Sequence, residues 1–302
     1  MTTSEVSSAV PVRRRLGGSA DIVLAAALWG TTGTVRSFVH AGPVAVGAAR
    51  LLIGGAFLFA VALRSGGLRP LLARGTRTRL ILLLGAVLAA VYQTAFFSAV
   101  ARTGVATGTV VTIGSGPVFA GLLSRLLGMG TLTPRWLLST AGAVAGCAAL
   151  TLGGQAAGVE PVGVALALLS GFGYAAYATV ASYLITRGDD SRAVLGTLFG
   201  GSGVLLLPVL LIAGSGWLLT GPGAAAALYL GVITTGVGYL LYGRGLRTTP
   251  VAAATTLTLA EPAVAAVLGL VVLGEHLGAV ALAGLALLAA SLVILTLPAR
   301  SR

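Results

Sequence analysis

The residues able to do chemistry in this chain are few, and one pair stands out by its surroundings. Glu261 and Pro262 sit inside "LTLAEPAVAAVLGLVVLGEHLG", Leu257 to Gly278, a run that is otherwise apolar. Proline has no N–H and clashes with the carbonyl four residues back, so the pattern predicts that the Thr258 carbonyl loses its helical partner one turn below Glu261. A protonated Glu261 would donate to such a carbonyl; an ionised one needs an arginine, a cationic substrate group or water. Arg50 is the arginine placed well inside another apolar run, and it is the alternative partner for that carboxylate. "TIGSGP", ending at Pro117, presents a comparable weak point, with Gly116 in place of the acid and Ser115 supplying a hydroxyl. Both prolines are expected to be helix breaks at which a two-part machine bends or binds.

Further polar and aromatic groups fall within apolar runs at helical spacing. Gln93 follows Tyr92, with Phe96 one turn on; Tyr174 and Tyr177 are three apart, as are Tyr239 and Tyr242; Trp29 lies midway along the first run. Trp29, Tyr92, Gln93, Phe96, Ser115, Tyr174, Tyr177, Tyr239 and Glu261 are therefore the candidates to stack on or hydrogen-bond a small molecule. Arg50 and Glu261 are the candidates for proton coupling or an internal ion pair. Glu275 and His276 read as the outer end of a span. No H-E-x-x-H cluster and no nucleotide-binding lysine occurs, so neither a metal nor a cofactor is expected.

The elements that must position these groups follow from composition. Of 302 residues 57% are hydrophobic and 9% charged, which leaves too little polar surface for a water-soluble globule. A helix crossing a bilayer needs about 20 predominantly apolar residues. Ten such runs occur, near 20–39, 43–63, 79–100, 104–126, 134–153, 161–184, 193–215, 224–243, 249–273 and 278–297. They are too long for strands and lack the two-residue alternation of a membrane barrel, so the expected class is an all-α polytopic membrane protein. Residues 1–18 and 299–302 are expected to be cytoplasmic tails, the first disordered.

The net charge of +12 comes from nineteen arginines against seven acids, with no lysine. In a soluble protein that balance would suggest nucleic acid; here the arginines punctuate apolar runs, and the partners expected are the lipid bilayer and a small-molecule substrate. With the N-terminus inside, sixteen arginines fall on the cytoplasmic side and Arg102, with Arg36, on the other. The expected location is the cytoplasmic (inner) membrane with both termini cytoplasmic.

Sliding the chain by 145 residues lays Ala101 onward over Leu246 onward without a gap: Arg102 meets Arg247, Thr103 meets Thr248 and Pro117 meets Pro262. Two halves, 19–154 and 160–298, are expected, and five spans in each would place them in opposite orientations.

Those residues carry a family resemblance. Ten spans in an inverted five-plus-five repeat, "LWG" at Leu28 to Gly30, "AEPAVAAVLGLVVLGE" at Ala260 to Glu275, and Arg50 in "AARLLIGGAFLF" resemble the EamA-type branch of the drug/metabolite transporter superfamily. The resemblance implies an exporter of amino acids or other small metabolites with a central cavity between the halves. The glutamate that often closes the first half's motif is Gly130 here, while Glu275 stands in the second. Two other classes compete. One is a membrane scaffold without a cavity. The other is an intramembrane serine protease built on Ser202 in "GGSG", which needs His40 or His276 as base.

Overall fold

The computed structural model describes residues 17–152, 160–272, 274 and 276–297, without the side chains at 105, 106, 151 and 152. The expected tails lie outside that description, except that Gly17 and Gly18 already belong to the first helix; Glu275 also lies outside it. The elements among the described residues are all helical, with no strand. Ten rods follow one another: α1 Gly17–Ser37, α2 Pro43–Arg64, α3 Thr76–Gly104, α4 Thr107–Leu126, α5 Pro134–Leu152, α6 Pro161–Thr186, α7 Ser191–Ala213, α8 Gly221–Gly245, α9 Val251–Val272 and α10 Ala279–Thr296. All but α1 and α5 are long and apolar enough to cross a membrane by those criteria alone, which makes eight among the described residues. At 21 and 19 residues, α1 and α5 have spanning length and pack into the same bundle.

Local chemistry fixes the rod ends. Pro43, Pro134 and Pro161 open their helices, where a missing N–H costs nothing. Glu160, Asp190 and Thr220 accept hydrogen bonds from amides of the first turn. Gly104, at φ 81° and ψ 163°, turns the chain between α3 and α4, a backbone conformation open to glycine and strained for other residues.

Asp190 also carries a pH prediction. Its partial burial opposes the charged form, but hydrogen bonds from the Arg192 side chain and the Ala193 and Arg192 amides outweigh this and leave the pKa below its ordinary value. A depressed carboxylate stabilises the fold above its unfolded pKa and loses that contribution as pH falls through the folded one. Asp190→Ala should therefore lower stability by about 1 kcal/mol at neutral pH, and by less in acid. Thermal midpoints in detergent from neutral to acidic pH check this; an equal loss at all pH values would refute it.

The packing is symmetric in a specific way. α2 packs on α7 and α5 on α10, while α4 on α6, through Ser115 and Gly171, is answered by α9 on α1, and α3 on α6, through Tyr92 and Gly173, by α8 on α1. Exchanging each rod with the one five places along returns the same scheme. Residues 145 apart repeat the contact in detail: a Cβ at Gly18 would lie 2.1 Å from Thr248 Oγ1, and one at Gly163 would lie 2.4 Å from Thr103 Cγ2. Gly18 begins α1 at the end of α8, and Gly163 begins α6 at the end of α3. Because rods joined by short connections alternate in direction, these two contacts sit on opposite faces of the bundle. The face from which α1 starts is called the near face below, the other the far face.

Each contact carries an ion pair. On the near face Arg244 donates from Nε to Asp21 Oδ2 at 2.6 Å, with a second bond from its terminal nitrogen to Oδ1. On the far face Arg102 reaches Glu160 at 3.3 Å.

Candidate functional site

A cavity of about 770 Å³ opens between the halves. Each lining helix contributes one stripe at helical spacing: Trp29, Thr32, Gly33 and Arg36 from α1, Pro43, Val46, Gly47 and Arg50 from α2, and Tyr92, Gln93, Phe96 and Phe97 from α3. α4 adds Thr109, Thr112 and Ile113, and α9 adds Thr258, Glu261, Pro262, Ala265 and Ala266. These positions occupy the far-face portions of their rods, so the hollow belongs to that side. Gly47 makes room for its neighbours: a Cβ there would lie 1.7 Å from the Phe97 ring and 2.8 Å from Gln93 Nε2.

An aromatic layer closes the deep end. Trp29, Tyr92, Tyr174, Tyr177, Phe199, Tyr239 and Tyr242 pack ring on ring, with Phe199 and Tyr239 centroids 3.9 Å apart and Trp29 and Tyr239 centroids 4.8 Å apart. Hydrogen bonds lock the layer. Trp29 donates to the Thr234 carbonyl at 2.9 Å, and the hydroxyls of Tyr177 and Tyr239 meet at 2.8 Å. The Thr258 hydroxyl donates to the Thr255 carbonyl, so Tyr174 is the donor in the 2.8 Å bond between Tyr174 and Thr258. Beyond the layer, on the near face, a second hollow of about 410 Å³ lies among Met129, Ser182, Arg187, Thr248 and their neighbours.

The break in α9 lies where the sequence places it, but its geometry differs from expectation. Val251–Leu257 and Ala260–Val272 are separate helical segments. The Thr258 carbonyl is not orphaned: it accepts from the Glu261 amide at 3.0 Å, a tightened turn that replaces the bond Pro262 cannot make. Gly30 of the "LWG" triplet fits this turn, since a Cβ on it would approach the Glu261 carbonyl to 2.8 Å.

In the first half the expected break does not occur. The helix runs on through Pro117, and Gly104 is the one residue with non-helical dihedrals between Thr76 and Leu126. There Tyr174 covers Gly116, where a Cβ would meet its ring at 2.8 Å, and Ser115 packs on Gly171 with its hydroxyl donated to the Thr112 carbonyl. The weak points are therefore not equivalent, and the position next to proline carries an acid in one half and glycine in the other.

Of the residues picked from sequence, Trp29, Arg50, Tyr92, Gln93, Phe96, Tyr174, Tyr239, Glu261 and Pro262 line the cavity together. Ser115, Tyr177 and Pro117 do not. Tyr177 is fully buried behind the floor, and Ser115 faces α6. Arg50 and Glu261 share the cavity without forming an ion pair. The ion pairs among the described residues are Arg74 with Asp189, Arg102 with Glu160, Arg192 with Asp190, and Arg244 with Asp21. Arg50 instead donates from Nε to Thr235 Oγ1 at 2.9 Å. Sequence reasoning missed Arg36, which it assigned to topology, and Thr32 and Phe97; the spacing 29, 32, 33, 36 was the available signal for the two on α1.

Ser202 is fully buried with no hydrogen-bond partner, while His40 and His276 are exposed, so no imidazole reaches the serine hydroxyl. The comparisons with known proteins follow the two halves of the chain. The model of the EamA-like transporter family matches residues 18–152 and again 161–297. The chain belongs to the EamA-like transporter family. It is 38% identical over 284 residues to "Uncharacterized transporter YwfM" of Bacillus subtilis (strain 168), covering 93% of this chain and 94% of that protein. It is 26% identical over 294 residues to "Uncharacterized inner membrane transporter YicL" of Salmonella typhimurium, covering 94% and 97%. A solved crystal structure superposes with a TM-score of 0.76 at 20% identity, covering 92% of this chain and 96% of that one, which shows a shared fold. The EamA fold here is thus a repeated unit with an aromatic-floored cavity between its copies.

Proposed function

We propose that this EamA-family protein is a secondary transporter that exports a small amphipathic metabolite, such as an amino acid, across the cytoplasmic membrane by alternating access, with Glu261 as the proton-coupling group. The observation that carries this reading is the pair of hollows on opposite faces, separated by one hydrogen-bonded aromatic layer. Five antiparallel rods per half make the second half an inverted copy of the first. Such a copy supports two mirror-related states, one open to each side. The arginine distribution supports cytoplasmic termini, which makes the near face cytoplasmic and the cavity outward-open. An inner-membrane location is in keeping with the name of the Salmonella relative. Export direction follows the family resemblance.

The paired contacts at the ends of the bundle support the exchange. Asp21–Arg244 is short and doubly bonded on the closed side, whereas Arg102–Glu160 is long and exposed on the open side. In the inward-open state the two would swap character. Asp21→Asn should weaken the closed side by about 1 kcal/mol, a shift of about fivefold in the two populations. A cysteine at Ser182, buried beside the near-face hollow, should then react severalfold faster with a thiol reagent that cannot cross the membrane. The companion experiment is a proteoliposome flux screen over amino acids and related metabolites, with and without a pH gradient. Unchanged labelling in Asp21→Asn would remove the exchange, and absence of flux for every compound would remove the transport reading.

A further inference from the structure

We infer that the cavity selects a substrate of net negative charge, with the anionic group held by Arg50 and the apolar body laid on the aromatic floor, and that Arg36 draws such anions in at the mouth. This deepens the transport reading and rests on it for the word substrate; the anion site itself does not.

The charge inventory is the first ground. Two guanidiniums, Arg36 and Arg50, line the cavity against one carboxyl, Glu261. Among the described residues neither arginine is paired with an acid, and Glu261 makes no ion pair either. The hollow therefore holds one uncompensated positive charge when Glu261 is ionised and two when it is protonated. Unbalanced charge at membrane depth is strongly unfavourable unless water or a partner compensates it. A monoanion brings the balance toward zero in either state of Glu261. A zwitterion leaves it unchanged, and a cation makes it worse.

The second ground is how the arginines are held. Thr235 Oγ1 donates to the Leu230 carbonyl at 2.9 Å, within the stretch Tyr229–Val237 where α8 widens to π pitch. It therefore accepts from Arg50 Nε at 2.9 Å. That bond uses the inner nitrogen and fixes the guanidinium plane. Among the described residues nothing else bonds the side chain, so the forked terminal nitrogens remain available for bidentate capture of a carboxylate. Arg36 Nε is buried and has no hydrogen-bond partner among the described residues, an unsatisfied donor on the cavity wall.

The two charges serve different depths. Along α1 Arg36 is two turns beyond Trp29, roughly 10 Å toward the far face. Along α2, which runs the other way, Arg50 is two turns below Pro43, at the level of the floor. A positive group at the mouth of a low-dielectric cleft raises the local concentration of anions, and a planar fork at the bottom binds them. Trp29, Tyr92, Phe96, Tyr174 and Tyr239 provide ring faces beside that fork for an apolar or aromatic body.

Three molecules with one body and different charge test this: N-acetylphenylalanine as the anion, phenylalanine as the zwitterion, and phenylalanine methyl ester as the cation. Each is offered to the full-length protein in proteoliposomes and, separately, to the detergent-purified protein in a thermal-shift titration. The anion should be moved and bound at least roughly tenfold better than the cation, as loss of one charge-assisted pair predicts. Arg50→Gln should abolish that preference, while Arg50→Lys, a point charge without the fork, should keep its sign with lower affinity. Arg36→Gln should slow entry only at low ionic strength. Equal or better handling of the zwitterion or cation would overturn the inference and leave transport standing. Preference retained in Arg50→Gln would overturn the assignment to that residue. Anion binding without flux would uphold the site and defeat the transport reading; no thermal shift with any of the three would overturn the site.

Discussion

Glu261→Gln leaves the protein folded and inserted while turnover falls by roughly one to two orders of magnitude, about 1.4 to 2.8 kcal/mol on the rate-limiting barrier. The structure separates the two effects. The backbone of Glu261 closes the break in α9, its amide bonded to the Thr258 carbonyl and its own carbonyl against Gly30. Glutamine keeps both contacts. Among the described residues the carboxyl makes no ion pair, and it lines the cavity, so exchange for an isosteric amide removes a proton-accepting group without opening a hole in the packing. An anionic substrate sharpens the expectation. Removing a negative charge from the cavity wall does not weaken anion binding, so KM should stay level or fall while turnover and the response to a pH gradient are lost. Initial rates with and without an imposed gradient, beside the thermal midpoint of each variant in detergent, decide it. Turnover and gradient dependence equal to the parent protein would eliminate Glu261 as the coupling group.

The bundle was legible because hydrocarbon thickness imposes a length. Proline, glycine and arginine then mark where each rod must stop, and Pro43, Pro134 and Pro161 open helices where the apolar runs begin. Much of the cavity was legible too, since an amide, an acid or an arginine within an apolar run has to face something other than lipid; Gln93, Glu261 and Arg50 all line the hollow.

Orientation within the bundle was not legible. Tyr174 and Tyr177 are three residues apart, roughly 60° around a helix, and that angle puts one ring on the floor and the other behind it against Phe199. Ser115 was lost for a related reason: the space its hydroxyl fills is left by Gly171 on another helix, which spacing along α4 cannot reveal. The two prolines also differ in what surrounds them. A missing N–H forces a carbonyl to find another donor but does not say which. At Thr258 the donor is the amide three residues on, and the helix divides there, whereas around Pro117 the rod keeps its helical dihedrals beneath the Tyr174 ring.

Gly284→Leu is expected to be strongly destabilising although it lies outside the cavity. α10 meets α5 backbone to backbone: a Cβ at Gly284 would lie 2.4 Å from the Leu150 amide nitrogen and 2.7 Å from the Gly146 carbonyl, and one at Gly146 would lie 2.6 Å from the Leu288 amide nitrogen. No rotamer change relieves such contacts, because the obstructing atoms are main chain. Within lipid there is no hydrophobic force to drive two helices together, and close approach through small residues supplies the dispersion contacts that hold them. Overpacking a soluble core typically costs about 1 to 3 kcal/mol; here the helices must separate by a side-chain width, and the Gly142–Ser291 contact on the same interface opens with them. Gly284→Leu should therefore lie at or above the upper end of that range, with Gly284→Ala intermediate. Ala283→Leu is the control, adding the same bulk one residue away on an exposed position. Thermal midpoints and the monodisperse fraction in mild detergent give the readout. Stability of Gly284→Leu equal to that of Ala283→Leu would show that the α5–α10 seam does not hold the halves together.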